Sequence, residues 1–287
     1  MKRREAWIGF AFAMPAVAMF AAFAWYPILR TAYLSLFDYN MLQPPVFKGP
    51  GNYVSLMADP LFWQSVRATI GYVAGTCVPV WGLSLGLALL LNRPLRLRGA
   101  LRSLYFSPAV MSMVVAAVMW KLLLHYRGLL NVLGGYLGLG PIPWLTDAAW
   151  APASLIVMSI WKSTGYYMVM YLAGLQSIPG EYVEAALIDG ANRWQAFKSV
   201  TLPLLRPVTV LVVTMSLITG MQEFTAQFVM TGGGPSGATR VLALLIYETG
   251  FVFMKMGRAT AISMLLLAGL VALTLLQRRW LQVSETY

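Results

Sequence analysis

Two apolar segments of the sequence carry polar side chains that recur every three or four residues, so each set shares one side of a helix. The residues are Ser159, Lys162, Ser163 and Tyr166 in the first segment, and Ser216, Thr219, Gln222 and Glu223 in the second. Hydroxyl, amide and aromatic groups in such an arrangement can bind a polar solute through hydrogen bonds and ring contacts. The pattern therefore predicts reversible binding of a polar molecule and no covalent chemistry.

Lys162 and Glu223 are the charged members of these two sets, and each lies well inside its apolar segment. A charge at that depth is costly unless it is paired or faces water. We expect the two side chains either to form a structural ion pair or to line an aqueous cavity, and the two possibilities are compatible. Because one positive and one negative charge cancel, the pattern favours a neutral sugar or polyol over a phosphorylated solute.

The composition is that of a membrane protein. Of the 287 residues, 59% are hydrophobic and 11% are charged, whereas soluble chains are about half apolar and about a quarter charged. The net charge of +11 is typical of Lys and Arg retained in cytoplasmic loops, so we expect a lipid bilayer and not nucleic acid as the partner. Cys77 and His125 stand alone as the Cys and His residues, which excludes a multidentate Cys/His metal site.

Six apolar segments are each close to the ~20 residues that cross a bilayer as a helix. They cover residues 7–29, 68–91, 103–124, 150–175, 207–231 and 259–277. The loop between the second and third segments contains Arg93, Arg96, Arg98 and Arg102, and positively charged loops mark the cytoplasmic side. We therefore predict an all-α integral membrane protein with six transmembrane helices, both termini in the cytoplasm and a single transmembrane domain over residues 1–287.

Four glycines in the second segment, Gly71, Gly75, Gly82 and Gly86, share one helix face as two GxxxG pairs. Such a face predicts close packing against another helix, with a pore-lining surface as the alternative. We expect Gly75 and Gly82 to lie at the helix contact.

The segment 176–206, between the fourth and fifth apolar segments, is expected in the cytoplasm and reads as helix, turn, helix. Pro179 suits a helix start, and Gly190 suits the left-handed turn that ends a helix. Asn192 and Gln195 have the spacing of a reciprocal N-terminal cap, and Pro203 is expected to end the second helix. Such a hairpin can dock into a groove of a partner protein, or it can lie on the lipid surface as an amphipathic helix.

This segment resembles the EAA signature of ABC importer permeases. The matching residues are Glu184-Ala185-Ala186, Gly190 four positions later, and Leu202-Pro203. Val200 stands where the signature has Ile, which is the one departure. Other matching stretches are Ala173–Pro179, Thr201–Pro207 and Thr231–Pro235. With these, the chain is similar over nearly its whole length to the MalF-type permeases of carbohydrate uptake, and in particular to their six-helix members.

The resemblance implies a type I (MetI-like) permease core in a bacterial or archaeal plasma (inner) membrane, crossed several times. It implies that segment 176–206 is the coupling helix loop, which sits in a cleft of a cytoplasmic ATPase subunit. The implied coupling residues are Glu184, Ala185, Ala186, Asp189 and Gly190. The implied substrate contacts are Ser159, Ser163, Tyr166, Thr219, Gln222 and Glu223. To these, the polar pattern adds Lys162 as a residue of the substrate pathway.

The resemblance also implies a set of partners. They are a second, MalG-like permease subunit, an ATPase homodimer that holds ATP and Mg, an extracytoplasmic solute-binding protein and a sugar or oligosaccharide substrate. The sequence contains no GxxxxGK[ST] phosphate-binding loop, so we expect no cofactor in this chain and ATP hydrolysis on the partner.

Three alternatives remain open at this point. A glycerol-phosphate importer has the same architecture. In an ion-coupled secondary transporter, Lys162 and Glu223 would be the coupling charges. An intramembrane enzyme is disfavoured, because the apolar segments contain no His/Asp/Glu cluster that could activate water.

Overall fold

The computed structural model of the protein describes residues 2–94 and 96–280, and these are helical in most of their length. In chain order the elements are α1 (Lys2–Phe20), a π-helical turn (Ala21–Trp25), α2 (Tyr26–Leu34), β1 (Phe37–Asp38), β2 (Val46–Phe47), α3 (Gly51–Met57), α4 (Pro60–Leu91), α5 (Arg98–Val110), α6 (Met113–Leu123), α7 (Leu129–Tyr136), α8 (Trp150–Ser177), α9 (Gly180–Ile188), α10 (Arg193–Ala196), a π-helical turn (Phe197–Thr201), α11 (Leu202–Leu204), α12 (Arg206–Gln222), α13 (Thr225–Met230), α14 (Leu242–Tyr247), a π-helical turn (Glu248–Val252) and α15 (Met256–Trp280).

The described chain divides into two compact units. The first unit contains the residues up to Phe62 together with Leu245–Gly269, and the second contains Trp63–Leu244 and continues from Leu270. The predicted coupling segment, residues 176–206, and both polar sets belong to the second unit. The predicted cytoplasmic C-terminus falls on residues 281–287, which lie outside the described residues.

Within residues 2–94 and 96–280, three helical stretches are long and apolar enough to cross a membrane. They are Phe12–Leu34, Pro60–Leu91 and Met256–Gln277. Two bent helix pairs are also long and apolar enough when each pair is taken as one span. These pairs are α5 with α6, and α10–α11 with α12. Helix α8 has 28 residues, which exceeds the ~20 that a span needs, but its polar side chains lower its hydropathy. The number of six spans stays a prediction.

The predicted third and fifth spans are not single straight helices. A bend of 97° separates α5 from α6, where Met111 and Ser112 adopt extended backbone conformations. The fifth span ends at Gln222, because Glu223 is extended, and α13 follows as a separate short helix. Prediction by hydropathy misses both breaks, since an apolar composition continues through them.

The core of the second unit lies between α4, α8 and α12. The largest fully buried side chain in it is Tyr171, and Val80 and Val212 pack in the same cluster from α4 and α12. Helix α8 is central because two of its glycines allow close approach. A Cβ on Gly165 would overlap the backbone of Tyr105 in α5, and a Cβ on Gly174 would lie 2.7 Å from Val208 in α12.

The glycine face of α4 is only partly a helix contact. A Cβ on Gly75 would lie 2.6 Å from Ile156, which confirms the close packing of α4 against α8 at this position. A Cβ on Gly71, Gly82 or Gly86 would meet no described atom within 4 Å. The expectation that Gly82 lies at a contact within the described part of this chain is therefore wrong, because the side of α4 on which its Cβ would lie is open.

Polar contacts between loop and helix hold the first unit together. Asn52 is buried and donates from its side-chain amide to the carbonyl oxygens of Ser35 and Phe37 at 2.9 and 2.8 Å. The strands β1 and β2 pair antiparallel, with Phe37 opposite Phe47. Arg258 forms an ion pair with Asp59. These contacts fix a loop whose backbone would otherwise lack partners.

Candidate functional site

A cavity of about 370 Å³ lies in the second unit, surrounded by side chains from α4, α8 and α12 and from the bend between α5 and α6. Six of the predicted pathway residues line this cavity: Ser159, Lys162, Ser163, Tyr166, Thr219 and Glu223. The two polar sets, which are about sixty residues apart in sequence, therefore come together around one space. Gln222 is exposed and is not among the lining residues.

The side of α8 that faces the cavity contains the hydroxyl groups of Ser159, Ser163 and Tyr166. Ser163 donates to the carbonyl oxygen of Ser159 at 2.6 Å, a bond to the preceding turn that leaves the lone pairs of the hydroxyl free to accept. Tyr166 is half exposed and packs edge-on against Tyr167, with ring centroids 5.2 Å apart. This face therefore offers hydroxyl groups and an aromatic ring side by side.

Lys162 is held by the helix break between α5 and α6. Its Nζ donates to the carbonyl oxygens of Pro108, Ala109 and Met111 at 3.3, 3.4 and 2.8 Å. Among the described residues it forms no ion pair with Glu223, so the first of the two expectations for these charges is not met. Both residues line the cavity, which meets the second.

The α12 side of the cavity ends at Glu223. One carboxylate oxygen of Glu223 accepts from the backbone N–H of Ala226 at 3.2 Å, which satisfies a donor in the first turn of α13. Thr219 is exposed and donates to the carbonyl oxygen of Met215 at 2.8 Å. Ser216 is buried and accepts from the indole N–H of Trp81 at 2.7 Å. The break after Gln222 thus places a carboxylate at the cavity and not inside a helix.

Helix α4 contributes a third side of the cavity that the sequence did not predict. Tyr72, Thr76 and Cys77 line it. The hydroxyl groups of Tyr72 and Ser159 form a hydrogen bond of 2.8 Å, and the thiol of Cys77 donates to the carbonyl oxygen of Ser216 at 3.4 Å. Tyr72 and Thr76, four residues apart in the sequence, share one helix face and are a weak signal of this side. The glycines of the same segment are a stronger signal, and they indicate helix packing.

The coupling segment has the turn that its sequence predicts. Gly190 has φ +91°, its N–H donates to the carbonyl oxygen of Leu187, and the N–H of Ala191 donates to that of Ala186. This pair of bonds is the Schellman arrangement that ends a helix. Asn192 and Gln195 cap α10 reciprocally, with bonds of 2.8 and 2.9 Å.

Most of α9 is exposed in the second unit. Glu184, Ala185, Asp189 and Gly190 are exposed and Ala186 is partly so, while Ile188 is 85% and Trp194 69% exposed. Exposed large apolar side chains on two successive short helices are typical of a surface that another protein covers.

Pro203 does not end the helical path, contrary to the expectation. A π-helical turn at Phe197–Thr201 precedes it, and Pro203 then lies in the first turn of α11, where a missing N–H breaks no intrahelical bond. The bend of 64° follows at the junction with α12.

Comparison with known proteins agrees with this architecture. The family model of the "binding-protein-dependent transport system inner membrane component" matches residues 80–282. The trehalose/maltose transport system permease protein MalF of Thermococcus litoralis is 35% identical over 86% of this chain and 85% of its own length. The lactose transport system permease protein LacF of Rhizobium radiobacter is 36% identical over 94% of this chain and 92% of its own.

The fold also matches a solved importer. A chain of the bacterial alginate ABC transporter, crystallised in complex with an alginate pentasaccharide-bound periplasmic protein, superposes with a TM-score of 0.85 at 22% identity, over 97% of this chain and 95% of that one. This confirms the predicted permease fold. The chain belongs to the family of inner membrane components of binding-protein-dependent transport systems.

Proposed function

We propose that this chain is the permease subunit of an ATP-driven importer, and that it carries a sugar or oligosaccharide across the plasma membrane of a bacterium or archaeon. The observation that carries this proposal is the position of two features on α8. The cavity residues Ser159 to Tyr167 lie at mid-helix, and the coupling segment follows Ser177 at its end. Ser163 and Ser177 are about 20 Å apart along the axis, so movement of the coupling segment is transmitted to the cavity through one rigid helix.

The chemistry of the cavity favours a neutral, hydroxyl-rich solute. The ammonium group of Lys162 is occupied by three backbone carbonyl oxygens, so it is not available to a phosphate. The remaining lining offers hydroxyl groups and the ring of Tyr166, which suit hydroxyl groups and the apolar faces of a sugar. The trehalose/maltose and lactose systems named among the relatives support this solute class.

The importer requires other subunits. We assign the exposed face of α9 and the Gly190 turn to an ATPase pair that holds ATP and Mg, and we expect a second, MalG-like permease to complete the cavity. A binding protein delivers the solute from outside, as the periplasmic protein in the alginate complex suggests. ATP-driven closure of the ATPase pair then opens the cavity outward, and its reopening after hydrolysis returns the cavity to the cytoplasmic side. This chain catalyses no reaction itself.

The orientation follows from the same assignment. If α9 contacts a cytoplasmic ATPase, the C-terminal end of α8 faces the cytoplasm and both chain termini lie on that side in a six-span arrangement.

Reconstitution tests the proposal. The chain is co-purified with its ATPase, second permease and binding protein. The complex is placed in liposomes and supplied with radiolabelled maltose, trehalose, lactose or glycerol phosphate. We expect uptake of a sugar that needs ATP on the coupling-segment side. Uptake that collapses with an uncoupler and ignores ATP contradicts the proposal, and uptake of glycerol phosphate alone corrects the solute class.

The substitution Ile188→Asp connects this test to the structure. Because Ile188 is 85% exposed, the change leaves the fold of the chain intact but places a charge on the proposed docking face. We expect loss of ATP-dependent uptake together with loss of the ATPase from the purified complex.

A further inference from the structure

A second cavity, of about 220 Å³, lies in the same unit at the other end of α8 from the coupling segment. Pro152 and Leu155 line it from the first two turns of α8, whereas the main cavity begins at Ser159. Other lining residues are Arg67, Gly71, Tyr72, Gln227 and Thr239. The order along α8 is thus second cavity, main cavity, coupling segment.

Gln227 is a polar side chain without a hydrogen-bond partner in this second cavity. It is fully buried, and neither its amide nitrogen nor its amide oxygen is bonded. The side chain of Tyr72 is near enough to interact with this amide, but the pair does not reach hydrogen-bond geometry. A buried amide in this state is costly, and native proteins seldom leave one without a ligand or water. The amide offers one donor group and one acceptor, which is what a hydroxyl group needs.

Arg67 brings a second polar group to the same space. It lines the cavity from α4 and is exposed. Within the part of the chain that the structure describes, no hydrogen bond or ion pair engages its guanidinium group. A guanidinium group has five N–H donors and no acceptor, so it complements the ring and hydroxyl oxygens of a polyhydroxyl solute. The volume is also several times the ~30 Å³ share of one water molecule.

Tyr72 separates the two cavities. Its side chain lines both of them, and its hydroxyl is held by Ser159 through a hydrogen bond of 2.8 Å. One side chain therefore forms part of the wall of both cavities.

We propose that the second cavity is a subsite for a hydroxyl-rich solute, held by Gln227 and Arg67 one step before the main cavity, with Tyr72 as the partition between them. This proposal rests on the proposed function, in which the solute moves from the binding protein outside the cell to the cytoplasm. The solute enters at the second cavity, exchanges hydrogen bonds with the amide and the guanidinium group, and passes Tyr72 into the main cavity.

Thiol labelling tests whether the second cavity is reached from the outer side. The variant Gln227→Cys in the assembled importer, in liposomes, is treated from the binding-protein side with the anionic reagent methanethiosulfonate ethylsulfonate. The wild-type chain gives the background, since its single cysteine, Cys77, is buried. Met230→Cys, three residues along the same short helix and buried but not lining the cavity, is the matched control. Ala238→Cys replaces the test variant if Gln227→Cys does not assemble.

We expect the introduced thiol of Gln227→Cys to react and that of Met230→Cys to stay unreacted. Arg67→Gln in the Gln227→Cys background should slow the anionic reagent about tenfold and leave the neutral reagent methyl methanethiosulfonate nearly unaffected, because a local positive charge raises the encounter rate of anions. Folded complexes of Gln227→Cys and Ala238→Cys in which neither introduced thiol reacts overturn the proposal.

Transport tests the ligand class. Gln227→Leu removes the amide and keeps a side chain of similar size. We expect it to lower about tenfold the ATP-dependent uptake of whichever of maltose, trehalose and lactose is transported. The reason is that a solute hydroxyl left without its hydrogen-bond partner weakens binding of the solute on this scale. Met230→Leu is the control. Wild-type uptake by Gln227→Leu means that the cavity holds only water, and the proposal fails. If the unaltered importer takes up none of the sugars, the proposed function fails, while the labelling result decides the second cavity independently.

Discussion

The Nζ atom of Lys162 donates a hydrogen bond of 2.8 Å to the backbone carbonyl oxygen of Met111. This contact joins the middle of α8 to the bend where α5 ends and α6 begins. The last carbonyl groups of a helix have no intrahelical partner and carry partial negative charge. Lys162 therefore satisfies the end of α5 and forms part of the wall of the main cavity at the same time.

The first prediction concerns this contact. Lys162→Met keeps an unbranched side chain but removes the ammonium group, which leaves the carbonyl oxygens of Pro108, Ala109 and Met111 without their donor. We expect a loss of stability of about 2 kcal/mol, the scale of a hydrogen bond to a charged group. Thermal unfolding of the purified chain in detergent measures it.

Lys162→Arg is the matched control, because a guanidinium group can still donate to the same carbonyl oxygens. We expect it to lie much closer to wild type than Lys162→Met. Equal stability of wild type and Lys162→Met shows that the bend between α5 and α6 does not depend on this side chain.

The second prediction separates Glu223 from Lys162. Because the two do not form an ion pair among the described residues, Glu223→Ala should not reproduce the instability of Lys162→Met. We expect it instead to reduce solute uptake, since the carboxylate lines the cavity, with assembly of the complex retained. Uptake kinetics and copurification of the ATPase, measured on one preparation, distinguish these effects.

Glu223→Gln is the control for the helix cap, as its side-chain oxygen can still accept from the N–H of Ala226. Uptake that is reduced equally by Gln and Ala assigns the effect to the negative charge. Wild-type uptake by both variants removes Glu223 from the site.

Local signals in the sequence were sufficient for the coupling segment. The Asn192 and Gln195 cap and the Gly190 turn depend on residues three to five positions apart, and both are confirmed. The convergence of the α8 and α12 polar sets was also predictable, because a polar stripe at membrane depth must face something other than lipid.

The breaks and the third wall of the cavity depend on contacts between distant residues. Pro108, inside the last turn of α5, is the local sequence signal near the bend. The carbonyl groups exposed there find their donor in Lys162, some fifty residues away. In the sequence Tyr72 is one residue of an apolar segment, and its polar role is visible only in the structure, where its hydroxyl forms a hydrogen bond with Ser159. Single-sequence periodicity contains no information about such pairs.

The third prediction tests the glycine face of α4. Gly75→Leu places a side chain where even a Cβ would lie 2.6 Å from Ile156, and overpacking of this kind costs about 2 kcal/mol. We expect a clear fall in thermal stability of the purified chain. Gly82→Leu is the control, because no described atom lies within 4 Å of its Cβ position. Equal losses for the two variants contradict the assignment of a close helix contact to Gly75 and of open space to Gly82.

The fourth prediction concerns transmission through the coupling segment. Gly190 has φ +91°, a conformation that costs residues with a Cβ about 1–2 kcal/mol, and its surroundings are open, with no described atom within 4 Å of a Cβ position. Gly190→Trp therefore distorts the turn between α9 and α10 and places a large ring on the docking face, while the membrane helices are untouched. We expect loss of the ATPase from the purified complex, with normal yield of the chain itself and a loss of stability no larger than about 1–2 kcal/mol, the scale of the backbone strain.

Gly180→Ala is the matched control at the start of α9. Its Cβ would lie 3.9 Å from Glu184, an ordinary contact, and alanine favours the helix by about 1 kcal/mol over glycine. The two glycines thus differ in backbone conformation, one left-handed and one helical, although both belong to the exposed hairpin. If Gly190→Trp retains the ATPase as fully as Gly180→Ala does, the turn is not the surface through which the ATPase moves α8, and the coupling path proposed for this chain is wrong.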